Sequence, residues 1–324
     1  MNIVMPVRNA TRSSALQAVH VWAALATLSL FGVCVSGCTA ARQSSFATPD
    51  QAVQDLVASL RPVDSARISE VLGPEGDEII SSGDEVADQE GIEKFLKRYD
   101  EKHELVAGPD GRMILEVGKD GWPMPIPIVQ KRGAWRFDTP SGKDEILNRR
   151  IGRNELAAIQ VCLAIVDAQR EYASLDSDGD GLREYAQKFV SDAGNKNGLY
   201  WKTSENESPS PLGPLVATAS EEGYTSVRTE KGEPQAYHGY HYRMLTSQGP
   251  NAAGGKRDYM VNGNMTEGFA VVVWPAEYGN SGVMTFLVNH NGVVFQRDLG
   301  RNTDRTAKAM PAFDPDESWQ VVLE

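Results

Sequence analysis

Three aspartates at alternate positions give the clearest sign of ligand chemistry in this sequence. Asp176, Asp178 and Asp180 precede a glycine, and Glu184 follows them. This spacing lets carboxylate oxygens converge on a hard cation while the glycine turns the loop. Gln187 stands where an EF-hand loop has a bidentate glutamate. We therefore predict a weak, structural calcium site at Asp176, Asp178, Asp180 and Glu184. The alternative is a solvated turn that caps a following helix.

A second polar cluster combines histidine and tyrosine in the stretch YHGYHYR, residues 237–243. His238 and His241 point to opposite faces of a regular strand, so they cannot share one metal unless Gly239 forms a bulge. The stretch predicts a tyrosine-rich strand with one packed face. An aromatic surface for a glycan or a peptide is one alternative, and a catalytic histidine is another.

The sequence does not indicate a nucleophile paired with a base. The turn at residues 279–282 (GNSG) lacks the G-x-S-x-G pattern of a hydrolase, and Ser281 enters a predicted strand rather than a helix. We therefore predict no catalytic residues. Catalytic groups can nevertheless meet from distant positions, and His241, Glu277 and Asp180 are the candidates for a site of that kind.

The first 37 residues have the features of a secretory signal. Arg8 and Arg12 precede an apolar run from Val21 to Val35, which is shorter than the roughly 20 residues of a membrane-spanning helix. The quartet VSGC that ends at Cys38 resembles the bacterial lipobox. The resemblance implies acylation of Cys38 as the mature N-terminus and, since no aspartate follows, sorting to the outer membrane. An ordinary signal peptide and an uncleaved anchor are the alternatives.

The charge of the chain limits its partners. It has 32 Lys and Arg against 44 Asp and Glu, and residues 1–37 contain two of the arginines and no acid, which leaves the mature chain at −14. This charge argues against nucleic acid and against adhesion to anionic headgroups. The acyl chains at Cys38 would therefore supply the membrane affinity. Cleavage leaves Cys162 without a disulfide partner, and its apolar surroundings predict a buried thiol.

After a tether at residues 38–47, residues 48–148 predict an N-terminal α+β domain. Thr48 and Pro49 are typical of a helix start, and apolar positions from Ile92 to Tyr99 predict another helix. The order of helices and strands fits a helix-plus-sheet roll of the cystatin-like or nuclear-transport-factor-like type. The predicted strands are Met113–Val117, Ile126–Gln130 and Ala134–Asp138.

Residues 149–324 predict a second α+β domain, in which a long spine helix packs on an antiparallel sheet. The helix from Asn154 to Ala173 is apolar on most sides, which is typical of a helix wrapped by protein. A short helix is predicted from Glu184 to Val190, and hairpin turns at Asn262-Gly263 and Asn291-Gly292. The predicted strands are Tyr237–Leu245, Gly268–Trp274, Val283–Asn289 and Val293–Leu299.

Two resemblances extend these predictions. The spine helix and strands over residues 150–300 resemble the globular heads of type IV pilins and pseudopilins in architecture. Strings such as LGPEGDEIISSGD, RRIGRNELAAI and GFAVVVWPAEYGNSGVMTFLVN are similar to the bacterial domain-of-unknown-function family 2950, over almost the whole mature chain. That second resemblance implies no reaction, substrate or catalytic residue.

Together these features predict a non-catalytic envelope protein that is lipid-anchored at Cys38, faces the periplasm and binds or scaffolds there. The expected partners are the membrane, through the anchor, and an envelope protein or cell-wall component. Nucleic acid is not expected. The alternative function is an envelope hydrolase whose site is assembled from separated residues.

Cys38→Ser should release the protein from membranes or leave it as an uncleaved precursor, because serine cannot form the thioether that carries the lipid. Membrane fractionation and labelled palmitate measure this. Equal incorporation of palmitate into the wild type and the variant would show that Cys38 is not the lipidated residue.

Overall fold

A computed structural model describes residues 43–176, 181–204, 206–224 and 235–322. The predicted signal peptide and Cys38 lie outside these residues. The described chain is an α+β protein, as predicted, with an N-terminal helix and sheet region followed by a C-terminal sheet and its helices. Within the described residues, no helix is both long and apolar enough to span a membrane.

The N-terminal region begins with the helix that Thr48 and Pro49 predict. The Thr48 side chain accepts a hydrogen bond from the Gln51 N–H at 3.2 Å, which satisfies one of the free donors at a helix start. Asp64 and Asp84 cap the second and fourth helices in the same way. The helices are α1 (Pro49–Leu60), α2 (Ser65–Leu72), α3 (Gly76–Ile80) and α4 (Glu85–Glu101).

The sheet of this region is antiparallel and confirms the three predicted strands. Its order is β1-β2-β4-β5, and β3 also pairs with β2. Only two residues of the proline-alternating stretch form a strand, because Pro123, Pro125 and Pro127 have no N–H to donate. The strands are β1 (His103–Ala107), β2 (Met113–Val117), β3 (Trp122–Pro123), β4 (Ile128–Lys131) and β5 (Ala134–Phe137), with a 3-10 turn at Pro109–Gly111.

Helix α5 (Thr139–Ser174) is much longer than the predicted spine helix. Its 36 residues contribute to both hydrophobic clusters of the described chain, Ile146 to the first and Ala158 to Tyr172 to the second. The predicted boundary at residues 148/149 therefore falls inside a helix and not in a linker. Residues 141–150 lack apolar periodicity, but they contain good helix formers and an ion pair of 2.7 Å between Arg149 and Glu145.

The C-terminal sheet has the antiparallel order β14-β13-β12-β11-β6. The four main predicted strands form, but the one predicted at Tyr237–Leu245 begins only at Tyr240. Both predicted hairpin turns form, with positive φ at Asn262, Gly263 and Gly292. The remaining elements are α6 (Gly213–Glu221), β6 (Tyr240–Leu245), β7 (Ser247–Gln248), β8 (Arg257–Asp258), β9 (Met260–Val261), β10 (Asn264–Met265), β11 (Ala270–Pro275), β12 (Met284–Asn289), β13 (Val294–Asp298), a 3-10 turn (Gly300–Asn302), α7 (Thr303–Ala309) and β14 (Gln320–Val321).

The core of this region is centred on β11. All six of its residues are buried, so the strand is covered on both faces, and α5 and α7 both pack against it. Cys162 of α5 is fully buried, as predicted, and burial raises the pKa of its thiol to about 12. The prediction of a helix at Glu184–Val190 is wrong. That stretch is irregular, and its Tyr185 and Val190 form isolated β-bridges with Met265 and Tyr200.

Gly142 should be the least replaceable glycine of α5. An alanine Cβ there would lie 2.5 Å from the Pro125 carbonyl oxygen and 2.7 Å from the Ile126 Cα. Gly142→Ala should therefore lower the free energy of unfolding by about 1–3 kcal/mol, as overpacking does. Gly152→Ala is the control, because a Cβ at Gly152 meets nothing within 4 Å. Gly152→Ala should raise the free energy of unfolding by about 0.5–1 kcal/mol. Urea denaturation measures both values, and a Gly142→Ala variant more stable than Gly152→Ala would contradict the close packing at Gly142.

Candidate functional site

Asp84 is the centre of a buried polar junction between the N-terminal and C-terminal regions. The residue is 2% exposed. One oxygen accepts the Ala87 N–H at 3.1 Å and so caps α4. The other accepts the Tyr224 O–H at 2.8 Å and the Gly239 N–H at 2.7 Å. Burial, and then the neighbouring Asp84 carboxylate, raise the pKa of Tyr224, so that its hydroxyl remains a donor.

The turn that Asp84 holds contains the first histidine of the YHGYHYR stretch. His238 and Gly239 have φ values of 50° and 75°, and Tyr237 and Tyr240 exchange backbone hydrogen bonds of 2.9 and 3.1 Å. The expectation of one regular strand through both histidines is therefore wrong, because β6 begins only at Tyr240. The Nε2 atom of His238 lies 3.5 Å from a Glu222 carboxylate oxygen.

Arg150 connects the end of α3 to the turn at residues 277–282. Its half-buried guanidinium donates to the carbonyls of Glu78 and Ile79 and to the Asn280 side-chain oxygen. Burial lowers the pKa of Arg150. The Asn280 amide continues the network by donating to the Ser81 carbonyl at 2.7 Å and to Glu277 at 2.8 Å.

The next turn of α5 continues the same junction. Asn154 donates to the Ser281 carbonyl at 2.9 Å, and Glu155 accepts the N–H groups of Val283 and Met284, each at 3.0 Å. Ser281 itself is fully buried, and its hydroxyl is hydrogen-bonded to the backbone of Glu277. The three strings quoted for the family resemblance thus meet here, in one network of hydrogen bonds.

The two catalytic candidates within the described residues, His241 and Glu277, belong to different local arrangements. His241 lies on β6 beside Trp274, with ring centroids 5.6 Å apart, and the Trp274 indole donates to Asp304 at 3.1 Å. Glu277 belongs to the junction just described. Asp180 lies outside the described residues.

The predicted calcium loop is described only in part. Asp178 and Asp180 lie outside the described residues, Asp176 accepts the Gly181 N–H at 3.0 Å, and Glu184 is 9% exposed. Gln187 donates to the Gly263 carbonyl at 2.8 Å, which ties this segment to the β9–β10 hairpin. Within the described ranges, no group of three or more histidines, cysteines or acids could hold a metal ion. The calcium site stays a prediction.

A cavity of about 300 Å³ lies in the N-terminal region, beside the junction. Its walls come from α1 to α5 and from the proline-alternating stretch, and they are mainly apolar. Helix α4 contributes Ile92 and Phe95, which pack against the first hydrophobic cluster but are only partly buried, so the apolar face of α4 also borders the cavity. Other apolar wall residues are Leu56, Leu60, Leu72, Trp122, Ile126 and Ile146.

The charged part of the cavity wall comes mostly from one face of α5. Arg149, Arg150 and Arg153 line it together with Asp88 of α4. Burial raises the pKa of Asp88, whose carboxylate accepts the Ser82 N–H at 2.8 Å. The motifs of the sequence did not indicate this site. The one available signal was the spacing of Ile146 and the three arginines, which places them on a single helix face.

These observations define an α+β protein with two hydrophobic clusters, a buried polar junction and a cavity of ligand size. A family model described as "Protein of unknown function (DUF2950)" matches residues 43–322, so the chain belongs to that family, as the sequence strings indicated. No curated protein and no solved structure matches the chain. The pilin-head resemblance stays a prediction.

Asp84→Ala should lower the free energy of unfolding by about 2–4 kcal/mol, because it removes a helix cap and leaves the buried Gly239 N–H and the half-buried Tyr224 O–H without an acceptor. Asp64→Ala is the matched control. Asp64 caps α2 through the Arg67 N–H at 3.1 Å, in an exposed position. Asp64→Ala should therefore lower the free energy of unfolding by only about 1 kcal/mol. Chemical denaturation that gives equal losses would contradict the role of Asp84 at the junction.

Calcium that binds the acidic loop of the folded protein should raise its melting temperature. At a calcium concentration of 100 times the dissociation constant, the free energy of unfolding should rise by about 2.7 kcal/mol. We expect that constant to be on the order of 10⁻⁴ to 10⁻³ M, and magnesium to stabilise less. Asp178→Ala and Asp180→Ala should each abolish the shift and leave the calcium-free protein folded. A calorimetric titration that detects no heat of binding up to about 10 mM calcium, well above that range, would show that the motif is a turn and not a calcium site.

Proposed function

We propose that this chain is an exported, lipid-anchored envelope protein that binds an apolar ligand in the cavity between α4 and α5. Binding, without catalysis, is its proposed role in the periplasm. The cavity is the observation that carries the proposal. Its volume of about 300 Å³ lies at the lower end of small-molecule sites, and a mainly apolar wall with a few polar groups is typical of them.

The glycine at position 91 supports a binding role. Gly91 lies in the interior of α4 and on the cavity wall, and an added Cβ would meet nothing within 4 Å. A glycine inside a helix costs about 0.5–1 kcal/mol relative to alanine. No close packing requires glycine here, and its effect is to leave space at the cavity open.

The proposed location rests on the sequence. The lipobox ending at Cys38 would place a lipid only 11 residues before the start of α1 at Pro49. The region that contains the cavity would then be held near the membrane surface. The absence of aspartate after Cys38 favours the outer membrane, and the mature charge of −14 disfavours nucleic acid.

Gly91→Phe should fill the mouth of the cavity and abolish binding. The test uses the mature chain with Cys38→Ser, so that no acyl chain of its own competes, and the uncharged fluorescent dye N-phenyl-1-naphthylamine as the apolar probe. The unaltered cavity should bind the dye and enhance its fluorescence, and Gly91→Phe should weaken this binding at least tenfold.

Gly152→Phe is the control, because Gly152 is also helical, has open space around it and lies outside the cavity wall. It should leave dye binding unchanged, and neither variant should melt at a lower temperature than the parent. Absence of dye binding to the parent, or equal binding by the two phenylalanine variants, would overturn the proposed function.

A further inference from the structure

We propose that the occupant of the cavity is a single-chain amphiphile with an anionic head group, a carboxylate or a phosphate, whose head lies at Arg149 and Arg153. This inference rests on the proposed binding function and names the chemical class of its ligand. Three observations carry it: the apolar wall, the arginines on one face of α5, and the volume.

The wall provides a site for a hydrocarbon chain. Leu56 and Ile126 are at most 1% exposed, and both line the cavity together with Ile92 and Phe95 of α4. A volume of about 300 Å³ suits one chain and not the two chains of a membrane phospholipid. Burial of apolar surface favours a chain by about fourfold in affinity for each added methylene.

The arginines give the cavity a charge opposite to that of the chain as a whole. Three arginines and one aspartate line it, in a mature chain of net charge −14. Such a local reversal concentrates anions at the cavity. Arg153 is an exposed residue, and its positive charge contributes to lowering the pKa of Arg150. An anion bound there would relieve that repulsion.

The three arginines differ in what they can offer a ligand. Arg150 is committed to the Glu78 and Ile79 carbonyls and to Asn280, so it contributes charge but holds the fold. Arg149 pairs through Nε with Glu145, and both side chains are about half exposed. Exposed pairs of this kind are weak, and the guanidinium retains further donors. Within the described ranges, no carboxylate lies within 4.0 Å of the Arg153 guanidinium.

The negative charge of Asp88 does not reverse the preference of the cavity for an anionic head group. Its carboxylate already accepts the Ser82 N–H, and the charge of Arg150 acts on it. A cationic head group would meet three arginines and only this one engaged carboxylate. The charge pattern therefore favours an anionic head over a cationic one.

The test compares head groups on one chain length, by displacement of N-phenyl-1-naphthylamine from the mature chain with Cys38→Ser. The probes are dodecanoate, dodecyl phosphate, an uncharged dodecyl glycoside and dodecyltrimethylammonium, all below their micelle concentrations. Both anions should bind at least tenfold more tightly than the other two probes. A difference between the anions identifies the head group, and equal binding supports the shared anionic class.

Arg149→Gln and Arg153→Gln should each weaken the binding of the anions about three- to tenfold and leave the binding of the uncharged dye unchanged. Arg170→Gln is the matched control, because Arg170 also lies on α5, pairs with Asp167 at 3.3 Å and is outside the cavity wall. It should leave anion binding unchanged.

Dye binding without a preference for anions, or equal effects of the three glutamine variants, would overturn the head-group inference alone. Absence of binding by the dye and by every amphiphile would overturn the proposed function together with it.

Discussion

The continuity of helix α5 is the constraint on which the rest of the structure depends. Its 36 residues extend about 54 Å, and they pack in the first hydrophobic cluster at one end and in the second at the other. Between these ends, Arg150, Asn154 and Glu155 satisfy backbone groups of α3, of the turn at 277–282 and of the start of β12. Buried polar groups without partners are costly, so this middle section fixes how the neighbouring segments meet.

The cavity and the junction share Arg150, which links structure to the proposed chemistry. Its donors are used by the fold, while its charge still acts on the cavity beside it. A half-buried cation with three hydrogen-bond partners is more restrained than an exposed side chain. Arg149 and Arg153, on the same helix face, are exposed. The hydrogen-bonded junction and the exposed arginines of the cavity wall are therefore adjacent parts of one helix surface.

The sequence predicted most elements but not the site. Thr48, Asn262-Gly263 and Asn291-Gly292 act through local geometry, so their turns and caps could be predicted from neighbouring residues. The early start of α5 was missed because residues 141–150 gain their helical support from ion pairs and from Gly142 against Ile126, not from apolar periodicity. The partners of Asp84 are 140 and 155 residues away, and no local pattern indicates contacts at that separation.

The incomplete burial of α4 has a consequence for how the molecule moves. The 17 residues of α4 include no fully buried side chain, so this helix gains less from burial than β11, which is buried throughout. Segments with few buried contacts open at a lower free energy than the global unfolding of the protein. Local opening of α4 would therefore expose the cavity to solvent while the C-terminal sheet remains folded, and amide hydrogens of α4 would exchange long before those of β11.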